Sequence, residues 1–268
     1  MTNASRPTRF AGESWRTASA MHARVVGAVI MRDLQTRFGA GYFGFLLGLV
    51  MPLGHLAIAI GVNFLIGRKP PLGTDIAIFL MTGVLPFVIW LYAHRQIMMA
   101  LLQNKPLLYF PGVDAFDIFC GRICIEIVNA TLIVSVVIIT INYTRNGIEI
   151  SNLSQFMYGL IFSIFFGIGT GVIFGALANF NIIALMFGNI LGPLMWVISG
   201  IFFLPDEMPD IIRDYIFFNP LTHIIDYLRV AYYSEYSSSF LSIPYLLSTL
   251  AALIVLGITI VCVVRRHV

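Results

Sequence analysis

The chain has 268 residues, of which 59% are hydrophobic and only 11% are charged. A soluble domain carries about a quarter charged residues, so this composition excludes an ordinary water-soluble globular protein. The formal net charge of +3 is small, and it does not indicate a nucleic-acid-binding protein.

Residues 1–41 form a polar N-terminal segment in which arginines interrupt every apolar run. We therefore expect the first membrane span, and not a cleaved signal peptide, to target the chain. Val25, Val26, Val29 and Ile30 share one helical arc, which predicts an amphipathic helix on the membrane surface, with a plain solvated helix as the alternative. Asp33 and Arg37 fall on the apolar side, where their i,i+4 spacing allows an ion pair.

Six apolar stretches follow, and each has the roughly 20 residues that an α-helix needs to cross a bilayer. They are 42–66, 76–102, 116–141, 153–177, 182–204 and 243–264. Lipid offers no hydrogen-bond partner to free backbone groups, so the spans must be helices. The sequence predicts an all-α integral membrane protein with six transmembrane helices. We expect residues 42–268 to form one membrane domain and to leave no room for a second globular domain.

The basic residues are distributed unevenly between the two sides of these spans. If the N-terminus is cytoplasmic, 11 of the 16 Lys and Arg residues lie inside and five lie outside. The positive-inside rule therefore predicts that both termini are cytoplasmic.

Small residues recur at four-residue intervals in the fourth span, at Gly167, Gly171 and Gly175. This spacing lets helices approach closely. It favours helix packing within one protomer, with a dimer contact as the alternative.

Polar residues cluster near the predicted cytoplasmic ends of the second and third spans. They are His94, Arg95, Arg122 and Glu126, and their depths allow all four to meet at one level. An ion pair between Arg122 and Glu126, together with snorkelling of Arg95, would explain them structurally. The functional alternative is a cationic mouth for a phosphorylated lipid or an acidic glycan.

The connection between the second and third spans, residues 103–117, is too apolar for a solvated loop. A partner protein that covers Leu107, Leu108, Tyr109 and Phe110 would explain it, and so would insertion into the lipid headgroups. The long external segment before the last span is rich in aromatic and acidic residues. It predicts two short amphipathic helices, at about 209–217 and 221–232, that dip into the outer edge of the membrane, with a break at Asn219 and Pro220.

The sequence lacks the motifs of ATP hydrolysis, of hydrolase catalysis and of metal binding. No G-x-x-x-x-G-K-[ST] phosphate loop occurs, so the chain is not expected to hydrolyse ATP, and no hydrolase motif supports an enzyme. The three cysteines lie inside predicted spans without a complete ligand set, so we expect no metal and no cofactor. The middle of the spans carries almost no ionisable residue, which disfavours an ion-coupled carrier.

Four stretches carry a family resemblance: LQTRFGAGYFGFLLGLVMP, FLMTGVLPFVIW, NKPLLYFPGVDAFD and FNPLTHIIDYLRVAYY. In this order they resemble the permease subunit of ABC-type polysaccharide exporters, above all those for capsular polysaccharide, with O-antigen and teichoic-acid exporters as relatives. The resemblance covers the chain from about Met31 onwards. It implies a homodimer in the bacterial inner membrane, two copies of a separate ATPase, a glycolipid or polysaccharide substrate, and further export components in the periplasm and outer membrane.

The resemblance also implies roles for particular segments. Residues 24–38 would be an interface helix, 104–114 would include the helix that couples to the ATPase, and 209–232 would be periplasmic gate helices. The predicted ATPase contacts are Asn104, Leu107, Leu108, Tyr109 and Phe110. The predicted substrate contacts are Trp90, His94, Arg95, Arg122, Tyr232 and Tyr233. An ABC exporter of lipids or drugs, or a secondary carrier, remains the alternative.

Overall fold

The structure is a computed structural model that describes residues 15–38, 42–110, 112–145 and 149–267. Within these ranges it contains ten α-helices and no strand. The helices are α1 (Trp15–Phe38), α2 (Tyr42–Leu65), α3 (Ile76–Met98), α4 (Ala100–Gln103), α5 (Ala115–Arg145), α6 (Leu153–Leu177), α7 (Ile183–Ile198), α8 (Asp210–Ile216), α9 (Pro220–Tyr232) and α10 (Ile243–His267). Single 3-10 turns occupy Lys105–Tyr109 and Pro205–Glu207.

Five of these helices are long and apolar enough to cross a membrane: α2, α3, α5, α6 and α10. This confirms the prediction of an all-α membrane protein. The fifth of the six predicted spans, residues 182–204, is shorter than expected, because α7 ends at Ile198. Its 16 residues extend about 24 Å at 1.5 Å per residue. Gly200 then adopts φ +75°, a backbone conformation that favours glycine, and the chain leaves the helix there.

The helix α3 is the central element of the bundle. In its most apolar stretch 83% of the residues are buried inside the protein, against 28% for α2 and 22% for α10. It packs against α2, α5, α6, α7 and α9. The two ends of the bundle differ: one carries α1, α4 and the last turn of α10, and the other carries α8 and α9. They are called the α1 end and the α9 end.

The helix α1 begins at Trp15 and so extends further than the predicted interface helix, residues 24–38. Its predicted apolar arc faces the protein: Val29 is only 1% exposed, and its side chain packs on Gly121 of α5. The predicted partner of Asp33 was Arg37, whose side chain lies outside the described residues. Among the described side chains, Asp33 lies 3.3 Å from Arg122 of α5.

Close packing of α6 on α3 depends on the glycine stripe. A methyl group at Gly171 would lie 2.9 Å from the carbonyl oxygen of His94. One at Gly167 would lie 2.8 Å from Ala93, and one at Gly175 would lie 2.8 Å from the carbonyl oxygen of Met98. Distances below 3 Å leave no space for a side chain. The stripe therefore serves packing within one protomer.

We expect Gly171→Ala to destabilise the protein, by about 1–3 kcal/mol, because the new methyl group forces α3 and α6 apart. The matched control is Gly61→Ala on α2, where a methyl group has no neighbour within 4 Å. There the better helix propensity of alanine is expected to leave stability unchanged or slightly raised. Thermal unfolding of the two purified variants checks this; equal melting temperatures would contradict the assigned seam.

Candidate functional site

Two of the predicted substrate contacts, Trp90 and His94, lie in the interior of the protomer. Both are fully buried. The His94 ring lies 3.0 Å from the Thr170 hydroxyl through Nδ1 and 3.0 Å from the Gly188 carbonyl oxygen through Nε2. It stacks on Trp90 with ring centroids 5.5 Å apart. These contacts connect α3 to α6 and α7.

Arg95 follows His94 on α3 and is partly exposed. Its guanidinium lies against α7, where a methyl group at Gly192 would be 3.3 Å from Nη2. Its Nε is buried without a hydrogen-bond partner, and it makes no ion pair with any residue that the structure describes. A partly buried cation of this kind can bind an anion.

Arg122 has different neighbours from Arg95. Its side chain is fully buried and lies between two other elements: it contacts Asp33 of α1 at 3.3 Å and donates a hydrogen bond to the side-chain oxygen of Gln103 in α4. The predicted group of four polar residues is therefore not one cluster: His94 and Arg95 face α6 and α7, while Arg122 faces α1 and α4. Through its hydrogen bond to Gln103, Arg122 connects α5 to α4, which directly precedes residues 105–110.

Glu126, the fourth of these polar residues, lines a small cavity of about 150 Å³ between α2, α3 and α5. Its Oε2 accepts a hydrogen bond of 3.2 Å from Asn129. Gln96 and Tyr92 of α3 also line the cavity, and Gly48, Met51 and Pro52 of α2 form part of its wall. The cavity therefore presents hydroxyl, amide and carboxylate groups within the apolar bundle.

An aromatic face next to this cavity was not predicted from the sequence. His55 lies near the middle of α2 and is exposed, and its Nδ1 is 3.1 Å from the Tyr92 hydroxyl. The centroids of the His55 and Trp196 rings lie 6.1 Å apart. The Trp196 ring, on α7, also lies edge-on to the Phe202 ring, with centroids 5.3 Å apart. At the α9 end, Arg68 lies over the Phe202 ring at 5.8 Å. We call this set of five residues the α2–α7 aromatic face.

His55 is an ionisable residue near the middle of a span, where almost none was expected from the sequence. The signal was available in the sequence, because a histidine in the centre of a membrane span marks a functional site by default. Its aromatic neighbours could not be found in this way. They come from α3 and α7, which are distant from α2 in the sequence.

The segment predicted to contact the ATPase, Asn104 to Phe110, lies at the α1 end. Asn104 is buried; it accepts a hydrogen bond of 3.3 Å from Arg32 of α1 and donates one of 3.1 Å to the Ala100 carbonyl oxygen. Leu107 and Leu108 are half-buried and pack against the protein. Tyr109 is 83% exposed and Phe110 61% exposed. The segment is thus fixed at its base and presents two uncovered aromatic side chains at its tip.

The two predicted external helices are present as α8 and α9, within a residue or two of the expected positions. Tyr232 is buried and lies 6.4 Å from the ring of Phe156. Tyr233 packs on Gly73, whose φ of +74° favours glycine. There is also no space for a side chain there, because a methyl group at Gly73 would lie 2.7 Å from the Tyr233 ring. Burial raises the pKa of the Tyr233 hydroxyl. Both tyrosines hold α9 against the bundle.

Arg229 is the central side chain of the α9 end. It is fully buried, donates hydrogen bonds to the carbonyl oxygens of Phe203 at 2.9 Å and Ile201 at 3.0 Å, and lies 4.3 Å above the Phe79 ring. Burial lowers its pKa to about 10, so it remains charged at neutral pH. The nearby Asp226 accepts a hydrogen bond of 2.8 Å from Tyr236, and burial raises the pKa of its carboxyl. These contacts attach the irregular chain after α7 to α9.

Comparison with known proteins shows which family the chain is similar to. Residues 24–233 match the family model described as ABC-2 type transporter. The capsule polysaccharide export inner-membrane protein CtrC of Neisseria meningitidis serogroup B is 29% identical over 222 residues, which cover 81% of this chain and 82% of that protein.

Two further relatives have the same kind of description. The polysialic acid transport protein KpsM of Escherichia coli is 27% identical over 223 residues, which cover 82% of this chain and 86% of KpsM. The capsule polysaccharide export inner-membrane protein BexB of Haemophilus influenzae is 27% identical over 254 residues, which cover 92% of this chain and 94% of BexB. The family model covers well over half of the sequence, and the chain belongs to the ABC-2 type transporter family.

Proposed function

We propose that this chain is the membrane-spanning permease of an ABC transporter that exports a capsular or other lipid-linked surface polysaccharide across the bacterial inner membrane. The observation that carries the proposal is the similarity to capsule export proteins over 82% of the length of CtrC and 94% of that of BexB. An ABC exporter of lipids or drugs would share the fold, but none of the relatives named above has that description.

In this proposal the chain works as a homodimer with two copies of a separate ATPase. The α1 end faces the cytoplasm with both termini, as the distribution of basic residues favours. A second copy would cover the α2 and α7 surfaces, on which Met51 is 70% exposed, Ile58 68% and Met186 65%. The glycan would pass between the protomers, along the α2–α7 aromatic face, towards further export components outside the inner membrane.

The ATPase docks on the segment Asn104 to Phe110. Buried Asn104 and half-buried Leu107 and Leu108 hold the segment in place, while Tyr109 and Phe110 provide the exposed apolar contact. The hydrogen bonds from Arg32 to Asn104 and from Arg122 to Gln103 connect the segment to α1 and α5. A movement of the docked ATPase would therefore displace these helices together.

The docking proposal predicts that Tyr109→Asp combined with Phe110→Asp gives a folded permease that no longer copurifies with its ATPase and no longer supports export. Charge at the centre of an apolar contact is strongly unfavourable. The matched control is Tyr143→Asp, which changes a tyrosine that is 87% exposed at the α9 end. Unchanged copurification and export in the double variant would refute the assignment.

The substrate mouth lies at Arg95. Its guanidinium lies against Gly192 of α7, and it would bind the phosphate of the glycolipid. His94 and Trp90 then act through Arg95, since neither is exposed in the protomer. Arg122 would contribute through the position of α5.

We expect Arg95→Gln to leave the protein level unchanged and to reduce export about tenfold, the loss expected for one charge-assisted hydrogen bond. Arg95→Lys keeps the charge without the fork geometry and should retain part of the activity. Surface polysaccharide at matched permease levels measures the effect. A parallel fall in folded protein would instead indicate that Arg95 serves packing.

Glycan chains slide along aromatic rings, because the apolar faces of sugars stack on them without requiring one repeat sequence. The α2–α7 aromatic face provides such rings. Beyond it, α8 and α9 form the external gate, with Tyr232 and Tyr233 fixing α9 at the exit. The buried hydroxyl of Tyr233 and its contact with Gly73 support a positional role in the gate.

Trp196→Ala is expected to lower export severalfold, since one ring contact contributes about 0.5–1.5 kcal/mol. The control is Tyr158→Ala on α6, where the ring is 55% exposed and lies outside the α2–α7 aromatic face. Cells that produce each variant are compared for surface polysaccharide. Equal export in the two variants would show that the glycan does not pass along the α2–α7 aromatic face.

A further inference from the structure

A large apolar groove lies on the opposite side of the bundle from the α2–α7 aromatic face. It has a volume of about 430 Å³ and is formed by α5, α6 and α10 alone. It extends along α5 from Phe116 to Ile127, along α6 from Ile161 to Val172 and along α10 from Leu253 to Val261. None of its lining residues carries a charge.

The length of the groove matches one leaflet of a bilayer. Phe116 and Ile127 are eleven positions apart on α5, which is about 16 Å at 1.5 Å per residue. The hydrocarbon core of a bilayer is about 30 Å thick. The groove begins at the α1 end, where α5 starts, and extends over about half of that thickness.

The position of the groove determines what can occupy it. Its three walls are helices long and apolar enough to span the membrane, so the groove opens towards lipid hydrocarbon. Water would find no hydrogen-bonding partners there. A space of this volume left empty would lose the dispersion contacts of its whole lining. A hydrocarbon chain needs no hydrogen-bond partner and supplies the missing dispersion contacts, so it fits the groove better than water or an empty space.

A cation lies beside the end of the groove where a lipid headgroup would be. Arg265 follows the groove residue Val261 by four positions and so lies on the same face of α10. Its side chain is 51% exposed, and only its Nε pairs with Asp114, at 2.5 Å. The remaining N–H groups of the guanidinium have no hydrogen-bond partner among the described residues, and a guanidinium fork suits a phosphate.

The two carboxylates described near this end of the groove, Asp114 and Asp117, already have partners. Asp117, whose side chain is 6% exposed, contacts His22 of α1. The His22 ring stacks on Phe116, a groove residue, with centroids 5.8 Å apart. Asp114 occupies one edge of Arg265 and leaves the outer edge available.

We propose that the groove between α5, α6 and α10 is a phospholipid site, in which one acyl chain lies in the groove and the phosphate binds the outer edge of Arg265. The occupant is a lipid of the surrounding bilayer. This site does not depend on the exported substrate, because it is separate from the α2–α7 aromatic face and from residues 104–110.

The acyl chain is tested with the full-length protein in nanodiscs that contain phosphatidylethanolamine with a photoactivatable diazirine on one chain. After illumination, mass spectrometry of peptides locates the adducts. We expect them on residues 116–127 and 253–261. Ile164→Trp, which fills the groove, should lower these adducts about tenfold, in proportion to the apolar contact that the chain loses.

The matched control is Ile139→Trp on α5, where the side chain is 66% exposed outside the groove; it should leave these adducts unchanged. Ile258→Trp fills the groove from α10 and replaces Ile164→Trp if that variant is unstable. Even labelling of all exposed helix surfaces would overturn the proposal, because the groove would then only contact bulk lipid. Adducts that appear in these peptides only when the protein is monomeric would show that a second copy of the chain fills the groove.

The headgroup is tested separately, by native mass spectrometry of protein purified in detergent with phosphatidylglycerol or phosphatidylethanolamine added. Arg265→Gln should reduce retention of both lipids, and Arg265→Lys should restore part of it. Identical retention in the wild type and Arg265→Gln would exclude phosphate binding at Arg265. Neither readout requires ATP hydrolysis or export, so a failure here would leave the proposed function intact.

Discussion

The close approach of α6 to α3 is the contact on which the other parts of the structure depend. Gly167, Gly171 and Gly175 bring the two backbones together, and this contact encloses Trp90, His94 and Thr170 between the helices. Lipid provides no hydrophobic driving force for helix association, so close van der Waals contact of this kind has to hold the bundle together. With α3 fixed in the centre, α2, α5 and α7 are arranged around it, and the aromatic face and the small polar cavity form between them.

The two ends of the bundle are stabilised by different means. At the α1 end, charged and amide side chains connect elements that are far apart in the sequence: Arg122 joins α5 to α1 and α4, and Arg32 joins α1 to Asn104. At the α9 end, Arg229 donates to main-chain carbonyl oxygens and lies over an aromatic ring. Burial of an arginine costs desolvation free energy, and the contacts of Arg122 and Arg229 offset part of that cost. The α1 end can therefore transmit a displacement between helices, while the α9 end holds an irregular segment in one conformation.

Similarity to capsule exporters and the geometry support the same proposed mechanism from different directions. The similarity concerns most of the chain and says nothing about individual residues. The geometry identifies an exposed pair, Tyr109 and Phe110, on a segment fixed at its base, and a partly buried cation, Arg95, beside α7. It also shows that the substrate contacts predicted at His94 and Trp90 lie inside the protomer, which makes them supports for Arg95 in the proposed mechanism.

The sequence by itself determined the membrane class, the all-helical fold, five of the six predicted spans and the two external helices, because the lengths of apolar stretches and the positions of proline and glycine are local properties. It also indicated the exposed tip of residues 105–110 and the packing role of the glycine stripe. It extended the fifth span to Leu204, since hydropathy does not detect the turn at Gly200. Only the tertiary structure decided which polar residues meet. The partner of Asp33 comes from α5, the neighbours of His55 come from α3 and α7, and the lipid-sized groove exists only where α5, α6 and α10 leave a space between them, so none of these is encoded in a local pattern.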